Sequence, residues 1–156
     1  MADLAEGRQA PAFTLPASTG GEVSLQDFAG KQHVVLYFYP RDMTPGCTQE
    51  ACSFRDLRAE FEQAGAAILG VSTDDLASHA RFTEAHALSF PLLSDTDAAV
   101  ATQYGVWKEK RQYGRTYMGI ERTTFVIDKA GIIRRIYPKV KVDQHADAVL
   151  EFVRSL

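Results

Sequence analysis

The chain has 156 residues, 46% hydrophobic and 24% charged, close to the averages of soluble globular proteins, so disordered, collagenous and repeat classes are excluded. Seventeen Lys and Arg against 20 Asp and Glu give a net charge of -3, which offers no electrostatic footprint for nucleic acid or an anionic membrane. A chain of this length buries roughly 70% of the surface its unfolded form exposes and fits one domain, taken as residues 1–156. Its start, Met1-Ala2-Asp3-Leu4-Ala5-Glu6, has neither the basic opening nor the apolar stretch of a signal peptide. No apolar run approaches the roughly 20 residues of a membrane span, so a cytoplasmic protein is expected.

Residues 12–15 and 22–25, on either side of Ser18-Thr19-Gly20-Gly21, read as a short N-terminal hairpin. Residues 33–39 form a nearly unbroken apolar run, the pattern of a central strand covered on both faces. A second run at 66–72 ends before Thr73-Asp74-Asp75, which can cap a helix over 76–86. A short strand is expected at 91–93 and a helix at 96–104, then a cationic, glycine-containing loop at 108–119 with Trp107 and Tyr113 as exposed aromatics. Residues 123–127 and 132–137 flank Asp128-Lys129-Ala130-Gly131 as a hairpin. Ala146, Val149, Leu150 and Val153 then recur at helical spacing within 143–154. This order predicts an α/β domain with helices on both faces of one sheet.

Between the first two buried strands lies Tyr39-Pro40-Arg41-Asp42-Met43-Thr44-Pro45-Gly46-Cys47-Thr48-Gln49-Glu50-Ala51-Cys52. Thr is a favoured N-cap and Pro a favoured first helical residue, so a helix is expected to begin at Thr44 or Pro45 with Cys47 in its first turn. At about 100° per residue, Ala51, Phe54 and Phe61 lie within about 40° of Cys47 and Leu57 within about 80°, forming an apolar stripe that faces the sheet. Arg58 falls on the same stripe and is expected to snorkel to its edge, whereas Cys52 lies about 140° away, toward solvent. Five helical residues separate two Cα atoms by about 8.6 Å, beyond the roughly 7 Å a disulfide spans, so any bond between these cysteines requires the first turns to unwind.

Two cysteines are too few for a disulfide scaffold or a structural zinc site, which leaves redox chemistry or ordinary packing. A thiol at the ordinary pKa of about 8.5 is only about 3% thiolate at pH 7, and a helix N-terminus supplies at best about 2 of the roughly 3.4 kcal/mol that ionisation near pH 6 requires. A reactive Cys47 therefore needs a neighbouring cation. Arg122, at the entrance to the strand at 123–127, is the candidate if that strand pairs with the first one, whereas Arg41 and Arg115 sit on loops expected to be exposed. His33, His79, His86 and His145 are scattered, and HExxH, GxxxxGK and GxGxxG are all absent, so neither a metal site nor a nucleotide site is expected.

These residues resemble the peroxiredoxins, and within them the Q-type or bacterioferritin comigratory protein (BCP) group. Pro40-x-x-x-Thr44-x-x-Cys47 is similar to the family's active-site motif, and the run from Thr44 to Cys52 resembles the Q-type form with a second Cys five residues on. Collinear matches extend along nearly the whole chain, among them Gly7-Arg8-Gln9-Ala10-Pro11, Leu36-Tyr37-Phe38-Tyr39-Pro40, Gly70-Val71-Ser72, Leu92-Leu93-Ser94-Asp95, Tyr104-Gly105-Val106-Trp107 and Arg122-Thr123-Thr124-Phe125. The resemblance implies a thioredoxin-like fold of the peroxiredoxin type, a central mixed β-sheet flanked by helices with an N-terminal β-hairpin extension. It implies a peroxidatic Cys47 and a resolving Cys52, assisted by Thr44, Arg122 and Pro40. Gly46 and Glu50 would position substrate, with Glu50 orienting Arg122 or capping the helix. The implied activity is thiol-dependent reduction of hydrogen peroxide and organic hydroperoxides through a Cys47 sulfenic acid and a Cys47–Cys52 disulfide, recycled by thioredoxin or a similar dithiol. It needs no metal, heme or flavin and suits a monomer.

Two other readings stay open at this level. One is a thioredoxin-like protein disulfide oxidoreductase without peroxidase activity, although the spacing is CxxxxC and not CxxC. The other is a non-catalytic domain whose two thiols are packing residues.

Overall fold

The computed structural model describes residues 4–156; of the N-terminal stretch read above, Met1, Ala2 and Asp3 lie outside it. In chain order the elements are β1 (Thr14–Pro16), β2 (Glu22–Ser24), a 3-10 turn (Leu25–Phe28), β3 (His33–Phe38), α1 (Pro45–Asp56), α2 (Arg58–Gln63), β4 (Ala66–Ser72), α3 (Leu76–His86), β5 (Leu92–Ser94), α4 (Ala99–Gln103), β6 (Trp107–Gln112), β7 (Arg115–Ile120), β8 (Thr123–Ile127), β9 (Ile133–Tyr137) and α5 (His145–Arg154). The main sheet has the order β5-β4-β3-β8-β9. β3, β4 and β5 run parallel, β8 pairs antiparallel with β3, and β9 pairs antiparallel with β8.

Alternation along β3 divides the interior into two cores, because successive side chains of a strand point to opposite faces. Val34, Leu36 and Phe38 join a core closed by Phe13, Leu15, Tyr104 and Val106, from the N-terminal region and α4 with the turn after it. Val35, Tyr37 and Tyr39 join the other, closed by Phe54, Phe61, Phe82 and Val149 from α1, α2, α3 and α5. Both faces of the central strand are therefore covered, which is why its sequence shows no polar alternation. The antiparallel partner matters most for function. The pairing of Phe38 with Thr123 brings the residue before β8, Arg122, to the C-terminal end of β3, where the chain turns into α1.

Several expectations need correction. The segment at 108–119 is a two-stranded hairpin, β6 with β7, and not a loop. Most of both strands faces solvent, so no apolar alternation marks them, and the turn uses Tyr113 and Gly114 with φ of 52° and 74°, where Asn or Asp would have signalled it. Trp107 is half-buried against the first core, while Tyr113 is exposed. The single helix expected through Phe61 breaks at Leu57. Arg58 leaves the inward stripe as a result and pairs with Glu62 at 3.6 Å in solvent. The helix expected at 96–104 shortens to α4, because the buried Asp95 carboxylate accepts from the Val100 and Ala101 amides at 3.1 and 2.7 Å.

Candidate active site

The start of α1 is built by its local sequence. Pro45 occupies the first helical position with its fixed φ, and Thr44 stands before it in extended conformation. The Thr44 side chain does not cap the helix; its hydroxyl turns back and donates to the Arg41 carbonyl at 2.9 Å. The hydroxyl thus leaves the first-turn amides around Cys47 without the usual side-chain acceptor. Cys47 is 1% exposed and packs in the core of Tyr37, Tyr39, Ala51 and Phe54. Cys52, one and a half turns on, is half-buried, and both cysteines are free thiols.

One guanidinium joins the remaining groups. Arg122 donates from Nη2 to the Cys47 sulfur at 3.4 Å and from Nη1 to Glu50 Oε1 at 2.7 Å. Gly46 makes room for this, since a Cβ there would stand 3.2 Å from Arg122 Nη2. Burial pushes the Glu50 carboxyl up to about 7, against the pull of Arg122. For Arg122 the balance is reversed: burial works against its charge, but Glu50 and Cys47 outweigh it and hold the guanidinium more firmly protonated than usual. The difference has a physical origin. The Arg122 side chain keeps 17% exposure and has two partners, whereas Glu50 keeps 1% and has one.

The structure thus gathers Gly46, Cys47, Glu50 and Arg122, with Thr44 at the helix cap and Pro40 half-buried on the turn from β3. Arg41 and Arg115 are exposed and stand outside this cluster. Two neighbours escape the sequence reading. Lys110, half-buried on β6, lies over Gly119; burial and the charge of Arg122 lower its pKa, against the pull of Cys47 and Glu121. His145 Nε2 lies 2.8 Å from Thr124 Oγ1, with its ring edge-on to Phe54. Burial, then Arg122, lower its pKa to about 4. Asp42, Asp74 and His79 also converge, which histidine spacing did not reveal, but their polar atoms are engaged in hydrogen bonds with one another and with Tyr39, Ser72, Ser78 and the Leu93 carbonyl.

A helix start that sets a cysteine against an arginine delivered by an antiparallel strand is matched at the family level. Residues 7–136 match the AhpC/TSA family. The chain is a peroxiredoxin of that family. Its relatives include the putative peroxiredoxin bcp of Coxiella burnetii, 51% identical over 144 residues and covering 92% of this chain and 95% of that protein. Peroxiredoxin Bcp of Escherichia coli is 46% identical over 155 residues, 99% of each. Among solved structures, the Xanthomonas campestris bacterioferritin comigratory protein, studied for alkyl peroxide reduction, superposes with a TM-score of 0.87 at 43% identity, covering 92% and 90% of the two chains. This peroxiredoxin therefore has the thioredoxin-like fold and is a thiol-dependent peroxidase whose family acts on hydroperoxides and draws on a thioredoxin-type reductant. Among its described residues, no helix is long and apolar enough to cross a membrane.

Proposed function

We propose that Cys47 is the peroxidatic residue and Cys52 the resolving one, within a single domain. The observation that carries this reading is the Arg122 guanidinium 3.4 Å from the Cys47 sulfur at the first turn of α1. The Cys47 thiolate attacks one oxygen of a hydroperoxide; an S–O bond forms, the O–O bond breaks, and the departing alkoxide or hydroxide takes up a proton to leave as alcohol or water. Ionisation of the thiol raises the rate by at most about thirtyfold, so most of the acceleration comes from groups that bind the transition state. The first-turn amides and Arg122 are the donors available to the two oxygens; the Thr44 hydroxyl, whose own proton goes to the Arg41 carbonyl, offers its oxygen to the hydroperoxide O–H, and Pro40 shields the turn they occupy.

The Cys52 thiolate then attacks the sulfenic sulfur, forming the S–S bond as hydroxide leaves and is protonated to water. Both cysteines belong to the continuous helix α1, so this step unwinds its beginning, where Gly46 is a weak helix former. Thioredoxin, or a dithiol like it, restores the thiols. Alkyl as well as hydrogen peroxide are accepted, by analogy with the Xanthomonas campestris protein. We place the enzyme in the cytoplasm as a monomer.

Intact mass after one equivalent of peroxide tests the roles. The wild-type chain should lose two hydrogens, Cys52→Ser should gain one oxygen, and Cys47→Ser should remain unchanged. Peroxide turnover by Cys47→Ser would overturn the assignment.

A further inference from the structure

The turn that leads into α1 is tied down by a buried acid with no part in the chemistry above. Asp42 is 5% exposed. Its Oδ1 accepts from the Tyr39 hydroxyl at 2.6 Å, and its Oδ2 accepts from Ser78 Oγ at 2.8 Å and lies 2.6 Å from His79 Nδ1. Its own amide donates to Asp74 Oδ2 at 2.8 Å, and the same oxygen accepts from Ser72 Oγ at 2.7 Å. His79 is fully buried, with Nε2 3.0 Å from the Leu93 carbonyl. A carbonyl only accepts, so Nε2 carries a hydrogen, and the Nδ1–Oδ2 contact holds one further proton between ring and carboxylate. In this way Asp42 is fastened to the residue after β3, to the end of β4, to the first turn of α3 and, through His79, to β5.

Beyond Asp42 the chain turns out toward solvent. Met43 is 55% exposed with a left-handed φ of 66°. The Thr44 hydroxyl is held by the carbonyl of Arg41, the residue before Asp42, so the hydroxyl and the first turn of α1 take their orientation from a backbone that Asp42 immobilises. We propose that Asp42, clamped by His79, is a positioning residue for the peroxide step: it sets the Thr44 hydroxyl and the Cys47 turn relative to Arg122. The proposal rests on the assignment of Cys47 and Thr44 made above. Breaking a knot that served stability alone would lower the melting temperature and leave the rate of folded molecules unchanged. Breaking a positioning knot slows Cys47 oxidation in molecules that remain folded.

The test is rapid-quench oxidation of reduced protein by hydrogen peroxide and by cumene hydroperoxide, read by intact mass. The rate constant for Cys47 oxidation is thereby separated from that for disulfide closure. Asp42→Asn keeps the volume and two acceptor contacts and should slow oxidation at least about tenfold, given that misplacement by about 1 Å can cost about a hundredfold. Tyr39→Phe and Ser78→Ala, each removing one bond to the carboxylate, should slow it by smaller factors. Val153→Ala, a core truncation in α5, serves as the control and should melt lower with its oxidation rate intact. Hydrogen exchange in the reduced Asp42→Asn protein should rise over 43–48 and not over α5. Should Asp42→Asn fail to fold, the two milder variants decide. A reactive wild type with every folded variant within about twofold of it overturns this proposal alone. A wild type whose Cys47 does not react overturns the site assignment and this proposal with it.

Discussion

Glu50 and Arg122 form an ion pair in which the acid is the more deeply buried partner, at 1% side-chain exposure against 17%. Burial lifts the carboxyl from its ordinary 4.5 to about 7. Between those values the folded chain holds a proton that the unfolded chain has released, so stability falls as pH rises through the window and the full loss is present above it. The displacement corresponds to about 3 kcal/mol. Glu50→Gln keeps an acceptor for Arg122 and removes the titration. Urea unfolding of reduced protein at about pH 4.5 and about pH 7.5 should show the variant gaining on wild type by up to that amount at the higher pH. An equal pH slope in both proteins would mean that Glu50 is ionised throughout.

His145 has the opposite sign. Its folded value of about 4 lies below the ordinary 6.5, so as pH falls through this range the unfolded chain takes up a proton that the folded one refuses, and stability drops. The loss reaches about 3 kcal/mol below pH 4. Because the Glu50 and His145 windows overlap with opposite slopes, the two contributions largely cancel in wild type between about pH 4.5 and 6.5. His145→Gln should uncover the falling Glu50 slope, and Glu50→Gln the rising His145 slope. A single variant with the wild-type profile would remove its residue from the balance.

The parts legible in the sequence are those whose cause is local or repeats along the chain. β3 was readable because burial on both faces leaves a continuous apolar run, and α3 because Asp75 accepts from the Ser78 amide at 2.9 Å, a cap visible three residues ahead. Arg122 was legible because a thiol held ionised needs a cation, and the strand paired with β3 carries one to Cys47. The hairpin of β6 and β7 was not, because charged and polar residues occupy most of both faces and no core imposes a period of two. Nor was the Asp42–His79 contact, between residues 37 apart that meet only once β3, β4 and α3 are assembled.

Gly70 is closely packed in the main sheet. It lies on β4 between its register partners Tyr37 and Leu92, and an added Cβ would meet Leu92 Cδ2 and Tyr37 Cζ at 2.9 Å each. Tyr37 is stacked on Phe54 with ring centroids 4.8 Å apart and cannot withdraw without disturbing α1. Gly70→Ala should therefore destabilise by about 1–3 kcal/mol, the usual cost of overpacking. Chemical denaturation measures it directly, and a neutral result would mean that the sheet yields locally.

Gly46→Ala separates stability from chemistry. Alanine is the better helix former by up to about 1 kcal/mol, so the reduced protein should melt at the same temperature or slightly higher, and the first turn of α1 should unwind less readily. The new methyl group, however, would stand 3.2 Å from Arg122 Nη2, the nitrogen that donates to Cys47. The guanidinium must retreat by a few tenths of an ångström or tilt away from the sulfur. Stopped-flow oxidation should accordingly be slower by about tenfold, with disulfide closure slowed as a separate effect of the stiffer helix. Unchanged oxidation with slower closure would mean that the position of Arg122 is not what limits attack on the peroxide.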